Sequence, residues 1–372
     1  MDHRSTVSTG IDTAVPTVHT DQAIFTSVRT PTGEGYRIIA ASSGLSGDEK
    51  AEITRKAPSH GSLCSSEPVA QGLSAYSMAS GRYCVGFSRH AGKEHTARGG
   101  QRVYTHFVIL NQEDYALFGC HPRRVHEAMK KVVGDEPMLK PPRSLECLSL
   151  PVDDRHDTRN EQCIHDCPIE HLLQISLAML QGDHLLVVGA GQEFDLFNRS
   201  LLTLPLVVRR SLAVSVGLTY SPVRKTQLCF IARDRGEAQR ATRGQNIRWF
   251  DLDEPSSRSE TPFDDWLDLL ERRLHERRDA EIEQMTSAMP DDTSAESLIR
   301  IASICADKET VDTADLPRLT QLTVKYETFV ACNRLETNLI KQLKTQVQRR
   351  TVYLEKIAEK EAMVTGTERP DS

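Results

Sequence analysis

The chain predicts a multi-domain α+β fold with three parts: an amino-terminal, antiparallel β-rich α+β domain, a middle α/β domain and a helical carboxy-terminal region. Three observations predict it. Residues 22–43 (QAIFTSVRTPTGEGYRIIAASS) place two β-favouring runs around a turn, residues 168–253 alternate helical and apolar strand-like segments, and the chain beyond residue 262 is almost wholly helical in pattern. In the first of these, Gly33 and Gly35 can take the positive φ values of a tight reversal, while Ile24, Phe25, Val28, Tyr36, Ile38 and Ile39 supply strand-forming bulk.

Length and composition bound what the chain can be. At 372 residues it can bury two or three separate cores. Hydrophobic residues make up 38% and charged residues 26%, as in a globular protein. The net charge of -6 argues against a general nucleic-acid coat, which needs a concentrated basic face. No run approaches the roughly 18 apolar residues of a membrane span. Residues 1–20 are rich in Ser, Thr, His and Asp and read as a disordered leader without the apolar core of a signal peptide. Nine cysteines, an odd number spread from Cys64 to Cys332, lack the dense spacing of a secreted disulfide framework and read as reduced thiols of a cytoplasmic protein.

Taken in order, the hairpin is followed by a helix over 44–56 (GLSGDEKAEITRK) and by a small-residue stretch, 57–79, that reads mostly as loop. Arg82–Ser88 and Gln101–Leu110 are aromatic and β-branched and form a second hairpin. Residues 111–133 turn helical, and PMLKPPRS at 137–144 marks a domain edge, so the first domain is set at 21–150 and a linker at 151–167. The middle domain, 168–253, reads as helix 168–181, a fully buried strand at Leu185–Val188, a long helix over 193–214, and strands QLCFIARD and NIRWFDLD flanking a basic loop over 235–246. After a break at 254–262, Phe263, Trp266, Leu267, Leu270 and Leu274 recur at helical spacing, and MPDDT at 289–293 ends that run. Across 317–360, Leu319, Tyr326, Asn333, Ile340, Val347 and Leu354 stand seven apart, with Leu322, Phe329, Glu336, Leu343, Arg350 and Ile357 on the companion positions. This heptad with polar faults is either a terminal helix packed on its own domain or a coiled coil that joins copies of the chain. The helical region is set at 254–362, with 363–372 a tail.

The residues Gln22, Thr26, Ser27, Gly35, Tyr36, Gly99, Gly100, His106 and Val108 carry a resemblance. They resemble the Q-x-x-x-T-S strand, the Gly-Tyr strand start and the G-R-x-G-N-x-x-A-H-x-x-V segment of the amino-terminal module of bacterial GTPase-associated protein 1. The third segment departs from that pattern: Gln101 and Arg102 follow the glycines, Tyr104 fills the Asn position and Thr105 precedes the histidine, which leaves the subtype open. The resemblance implies a non-enzymatic regulatory or adaptor component working with a GTPase encoded nearby, in a bacterial signalling or conflict system, with no established catalytic centre in the motif. The middle region is also similar, without a specific motif, to the centre of DENN-type domains, which act on small GTPases.

Candidate chemistry is sparse. His106 is either a hydrogen-bonded core histidine or the base of a hydrolase or nucleotide-handling site shared with Ser27 or Tyr36, and alternation puts it on the strand face opposite Thr105 and Phe107. Cys163, His165 and Cys167, with His156 and His171 near them, form a candidate metal-ligating cluster, yet no second pair stands at finger spacing, and a polar linker ahead of helix 168–181 explains it better, so no metal is expected. Gly189 and Gly191 lie between a strand and a helix, but Phe194 replaces the third glycine of a dinucleotide fingerprint, so no cofactor is expected. The sequence contains no G-x-x-x-x-G-K-[ST] phosphate loop, hence the chain is not itself a GTPase of that class. Ser62 near His60 and Cys64, and Cys120 beside His121, are adjacent in sequence only. Asp264, Asp265 and Asp268 complement the positive end of a helix.

Overall fold

The computed structural model describes residues 16–31, 33–94, 100–152, 168–189, 193–231, 235–243, 246–254, 260–287, 289, 294–310, 316–327 and 334–365. They fall into two compact units. The first draws on Met1–Pro168, Ala178–Leu201 and Val208–Pro255, and the second on Ile169–Leu177, Leu202–Val207 and Ser256–Ser372.

The first unit is built on a single sheet. β1 (Thr17–Thr30) and β2 (Gly33–Ser42) form the expected hairpin, with Thr30 opposite Gly33 and with φ of 149° at Gly33 and 155° at Gly35. α1 (Gly47–Lys56) starts at Ser46, whose hydroxyl accepts the Glu49 N–H while the Glu49 carboxylate accepts the Ser46 N–H. That reciprocal cap satisfies two otherwise orphaned donors and fixes where the helix begins. β3 (Gln71–Ser77), β4 (Tyr83–Lys93) and β5 (Gln101–Leu110) extend the sheet, each antiparallel to its neighbour, in the order β3-β4-β5-β1-β2. α2 (Gln112–Leu117) and α3 (Pro122–Val133) follow, then β6 (Ser144–Leu145), parallel to β2, and β7 (Leu148–Pro151), antiparallel to the start of β1. Thr17–Thr20, expected in the leader, are therefore strand, because Val18 finds Leu150 opposite it and both are buried.

The middle segment supplies α4 (Ile169–Leu180), β8 (Leu185–Val188), α5 (Glu193–Leu202), α6 (Leu206–Ser211), β9 (Val214–Val216), β10 (Leu228–Ile231), α7 (Arg235–Thr242) and β11 (Arg248–Asp251). The strands β11, β8, β10 and β9 run parallel in that order, and all four residues of β8 are buried, as an apolar strand covered on both faces requires. β9 then pairs antiparallel with β3, which makes the parallel and antiparallel parts one continuous sheet.

Three local expectations are corrected. β3 lies inside the stretch read as loop: its Gly72, Ser74 and Ala75 have little strand propensity, but the site is crowded, and a Cβ on Gly72 would lie 2.4 Å from Leu218 Cδ2. The long helix over 193–214 is interrupted at Pro205, which offers no N–H to a preceding turn, and its end becomes β9, where Val214 and Val216 pair with β3. The basic loop over 235–246 is largely α7, seated on the sheet by the buried Ala238 and Ala241.

The second unit is helical, as expected: α8 (Asp264–His275), α9 (Asp279–Ser287), α10 (Ala295–Thr310), α11 (Leu316–Glu327) and α12 (Arg334–Thr365). Trp266, Leu267, Leu270 and Leu274 are buried on α8. Leu319, Leu322 and Leu343 form a core with Ile304 of α10, and Val347 packs on it, so these four heptad positions pack within the unit, whereas Leu354 is 48% exposed. Among the described residues no helix is long and apolar enough to cross a membrane.

Candidate functional site

Strand register in the first unit assigns the side chains of β1 and β3–β5 to two faces. One face carries Phe25, Tyr76, Cys84, Phe107 and Ile109, which pack with Ile53 of α1 into a core. The opposite face carries two rows across the strands. Leu73, Phe87, His106 and Ile24 stand abreast in one, and Gln71, Arg89, Tyr104 and Thr26 in the other.

Above these rows lies a pocket of about 330 Å³. Leu73, Phe87, Tyr104 and His106 form its floor, and α3 supplies a wall from His126, Met129, Lys130 and Val133, residues at i, i+3, i+4 and i+7 that share one side of a helix. Phe194 and Asp195 close one end. The His126 ring stacks on Phe87 at 3.9 Å between centroids and 13° between planes. Burial, helped by the Lys130 charge, brings His126 down to a pKa of about 4, so it is a neutral aromatic surface near neutral pH. The cations at the rim are all paired: Lys130 with Asp135 at 3.0 Å, Arg89 with Asp135 at 3.5 Å, and Arg123 with Glu127 at 3.0 Å and Asp195 at 3.7 Å.

His106 is 5% exposed, and burial alone brings its pKa down to about 4. Its Nε2 lies 2.8 Å from Gln22 Oε1. The Gln22 amide is itself oriented, since its Nε2 donates to the Glu146 carbonyl at 2.7 Å, a group that can only accept. Oε1 must therefore accept from His106, which fixes the proton on the imidazole Nε2 and leaves Nδ1 as a bare acceptor. Nδ1 has no hydrogen-bond partner among the described residues.

The other motif residues make a second set of ties. Thr26 Oγ1 donates to the Val103 carbonyl at 2.8 Å, and the Val103 N–H donates to Tyr36 Oη at 3.0 Å. Tyr36 Oη donates in turn to Glu94 Oε2 at 2.5 Å, and His60 Nδ1 lies 4.0 Å from the same carboxylate oxygen. Burial and the bond to Glu94 push the Tyr36 hydroxyl far above its ordinary pKa. Gln22 with His106, and Thr26 and Tyr36 through the Val103 peptide, thus bind β1, β2 and β5 to one another.

Residues 19–138 match the family model for the GTPase-associated protein 1 N-terminal domain, type 2.

The match decides the subtype that the third segment left open, and no curated protein matches the chain. The pocket floor and the α3 wall both belong to this type 2 domain, while Phe194 and Asp195 come from beyond it. The structure does not bring the three catalytic candidates together. Ser27 pairs directly with Tyr36, and Tyr36 stacks on Phe25, which puts both on the α1 side of the sheet, opposite His106. The Ser27 hydroxyl is fully buried and has no hydrogen-bond partner among the described residues.

Cys163, His165 and Cys167 lie outside the described residues, as do His156, Gly99 and Gly191; among the described residues no group of three or more His, Cys, Asp or Glu is placed to hold a metal. Gly189 has a packing role, because a Cβ there would lie 2.4 Å from Leu252 Cδ1. Ser62 uses its hydroxyl to accept the Ser59 N–H in a turn. His121 is buried at the start of α3 and held well below its ordinary pKa by burial and then by nearby arginines. Sequence reading missed the α3 wall. Its signal was present in PRRVHEAMKKVV, where His126 recurs at helical spacing with Met129 and Val133.

Proposed function

We propose that the chain is a non-enzymatic, cytoplasmic regulator or adaptor of a partner GTPase, encoded near it in a bacterial signalling or defence system. The match of residues 19–138 to the type 2 domain carries this reading. The geometry around His106 is consistent with it in three respects. Its Nε2 is engaged by an amide, not by a carboxylate that would raise its basicity; a pKa of about 4 makes it a poor general base near neutral pH; and the candidate nucleophile Ser27 is on the other side of the sheet.

The test is co-expression with the GTPase encoded nearest the gene, followed by pull-down in GDP and in a non-hydrolysable GTP analogue. Association that depends on the nucleotide supports the regulator reading. Absence of association in both states sinks it and moves attention to an enzyme centred on His106, assayed with His106→Ala. Self-association through residues 317–360 is a second reading, favoured by Tyr353 and Leu354, which are 61% and 48% exposed on α12. Paired substitution of both by Lys lowers the solution mass if the reading is right and leaves it unchanged if it is wrong.

A further inference from the structure

We propose that the pocket between the β3–β5 face and α3 is a binding site for an uncharged, flat heteroaromatic molecule of one or two rings that presents an N–H donor to His106 Nδ1. The inference is independent of the GTPase reading.

The size sets the first limit. About 330 Å³ is near the lower end of the roughly 300–1,000 Å³ found for small-molecule sites, so the occupant is a compact ring system. Aromatic character follows from the lining: Phe87 and His126 spend one face each on the other, and what they leave to the pocket, together with Tyr104, favours an aromatic guest.

Charge sets the second limit. Arg89, Arg123 and Lys130 are each already paired with a carboxylate, and Glu136 adds a further acid to the lining. An anionic ligand would have to break those pairs and approach Asp135, Asp195 and Glu127, which argues against a phosphate-bearing nucleotide. A cation would meet Arg89, Arg123 and Lys130 at the rim, where Asp135, Asp195 and Glu127 are already engaged and only Glu136, of the acids named, stands outside those pairs.

The hydrogen bond sets the third. His106 is 95% buried by its 5% exposure, lines the pocket, and has its tautomer fixed by Gln22. Nδ1 is left as an acceptor without a partner among the described residues and is not among the fully buried unpartnered atoms, so it is open to solvent and a donor on a ligand can take the place of water there.

The experiment uses the full chain and calorimetric titration with benzimidazole, indole and adenine as probes. N-methylbenzimidazole keeps the shape and lacks the donor, and benzimidazole carboxylate adds a charge. The proposal expects at least one neutral probe to bind at millimolar concentration or below, N-methylbenzimidazole to bind about tenfold or more weakly than benzimidazole, and the carboxylate to bind more weakly still. Val133→Trp, at a half-buried position of the α3 wall, fills the space and should abolish binding. Failure of all three neutral probes overturns the proposal, as does equal affinity for the N-methyl compound, tighter binding of the carboxylate, or binding that survives Val133→Trp. Should that variant fail to fold, the methylated and carboxylated probes still decide the outcome on the unaltered chain.

Discussion

Burial of a neutral His106 makes the stability of the first unit depend on pH. The unfolded chain protonates this imidazole near pH 6.5, whereas in the fold its pKa is brought down to about 4 by burial. The sign is fixed by proton uptake: between these values the unfolded state holds the proton and the folded state does not, so stability is lost as pH falls. The stabilisation is fully present above about 6.5 and is drained until about 4. From about pH 7 to about pH 5 the loss assigned to His106 is about 2 kcal/mol, from roughly 1.4 kcal/mol per pH unit over the part of the window crossed. Carboxylates act in a lower window. Burial pushes Glu49 up, but hydrogen bonds from the Ser46 backbone and Ser80 and the Arg82 charge bring it below its ordinary value, so its protonation matters only below about pH 4.5. The perturbation is His106→Leu, which also leaves Gln22 Oε1 without its donor. That second loss is the same at every pH and cancels when each protein is compared with itself. Labelling the chain's two tryptophans with fluorotryptophan separates Trp249 of β11, in the first unit, from Trp266 of α8, in the second, and urea unfolding is then read at Trp249. The wild type should lose about 2 kcal/mol more than the variant between the two pH values. Equal losses would refute the neutral, buried assignment of His106.

Other substitutions probe the frame around the site. Gly86→Ala would bring a Cβ within 2.5 Å of Phe107 Cε1, so the urea midpoint should fall by an amount equivalent to about 1–3 kcal/mol with the slope unchanged. Tyr36→Phe removes the donor to Glu94, whose side chain is 0% exposed, and the acceptor of the Val103 N–H; a loss of about 1–3 kcal/mol is expected, and a double-mutant cycle with Glu94→Gln should show coupling. Leu343→Ala opens the core shared with Ile304, Leu319 and Leu322 and should destabilise the second unit by about 2–5 kcal/mol, read at Trp266, while the Trp249 transition stays in place.

How much of this was legible in the sequence depended on how local the deciding contact was. The β1–β2 hairpin was readable because Gly33, Gly35 and the flanking bulky residues are neighbours in the chain. The α8 stripe was readable for the same reason: Trp266, Leu267, Leu270 and Leu274 lie within a few turns. β3 was not, because what makes Gln71–Ser77 a strand is the pair of partners on either side, β4 and β9, the latter more than a hundred residues away. α7 was misread since a basic surface and a Gly in the first turn obscured two alanines whose burial needs β8 and β11 to be in place. At the site, alternation correctly opposed His106 to Thr105 and Phe107. The partner that fixes its tautomer could not be seen, because Gln22 is 84 positions away and is oriented by a carbonyl 124 positions from itself.

The division of labour within the type 2 domain follows from where its motif residues point. Gln22, Thr26, Tyr36 and His106 spend most of their polar atoms on groups outside their own strands: the Glu146 carbonyl, the Val103 peptide and the Glu94 carboxylate. Such ties are needed wherever the three strands must hold register, whatever the chain does, because an unpaired buried donor or acceptor would destabilise the sheet. Residues with that duty mark the architecture. The pocket obeys a different rule. Apart from His106, its floor and wall come from Leu73, Phe87, Tyr104, His126, Met129, Lys130 and Val133, none of which takes part in those ties, although the Tyr104 hydroxyl accepts the Met138 N–H. They can change in size and polarity while the β1, β2 and β5 frame stays intact. His106 belongs to both systems: its Nε2 is bound to the frame and the residue lines the pocket. A substitution at His106 therefore disturbs both at once, whereas Val133→Trp acts on the pocket alone, and only the second kind of change separates what the domain is built from and what it binds.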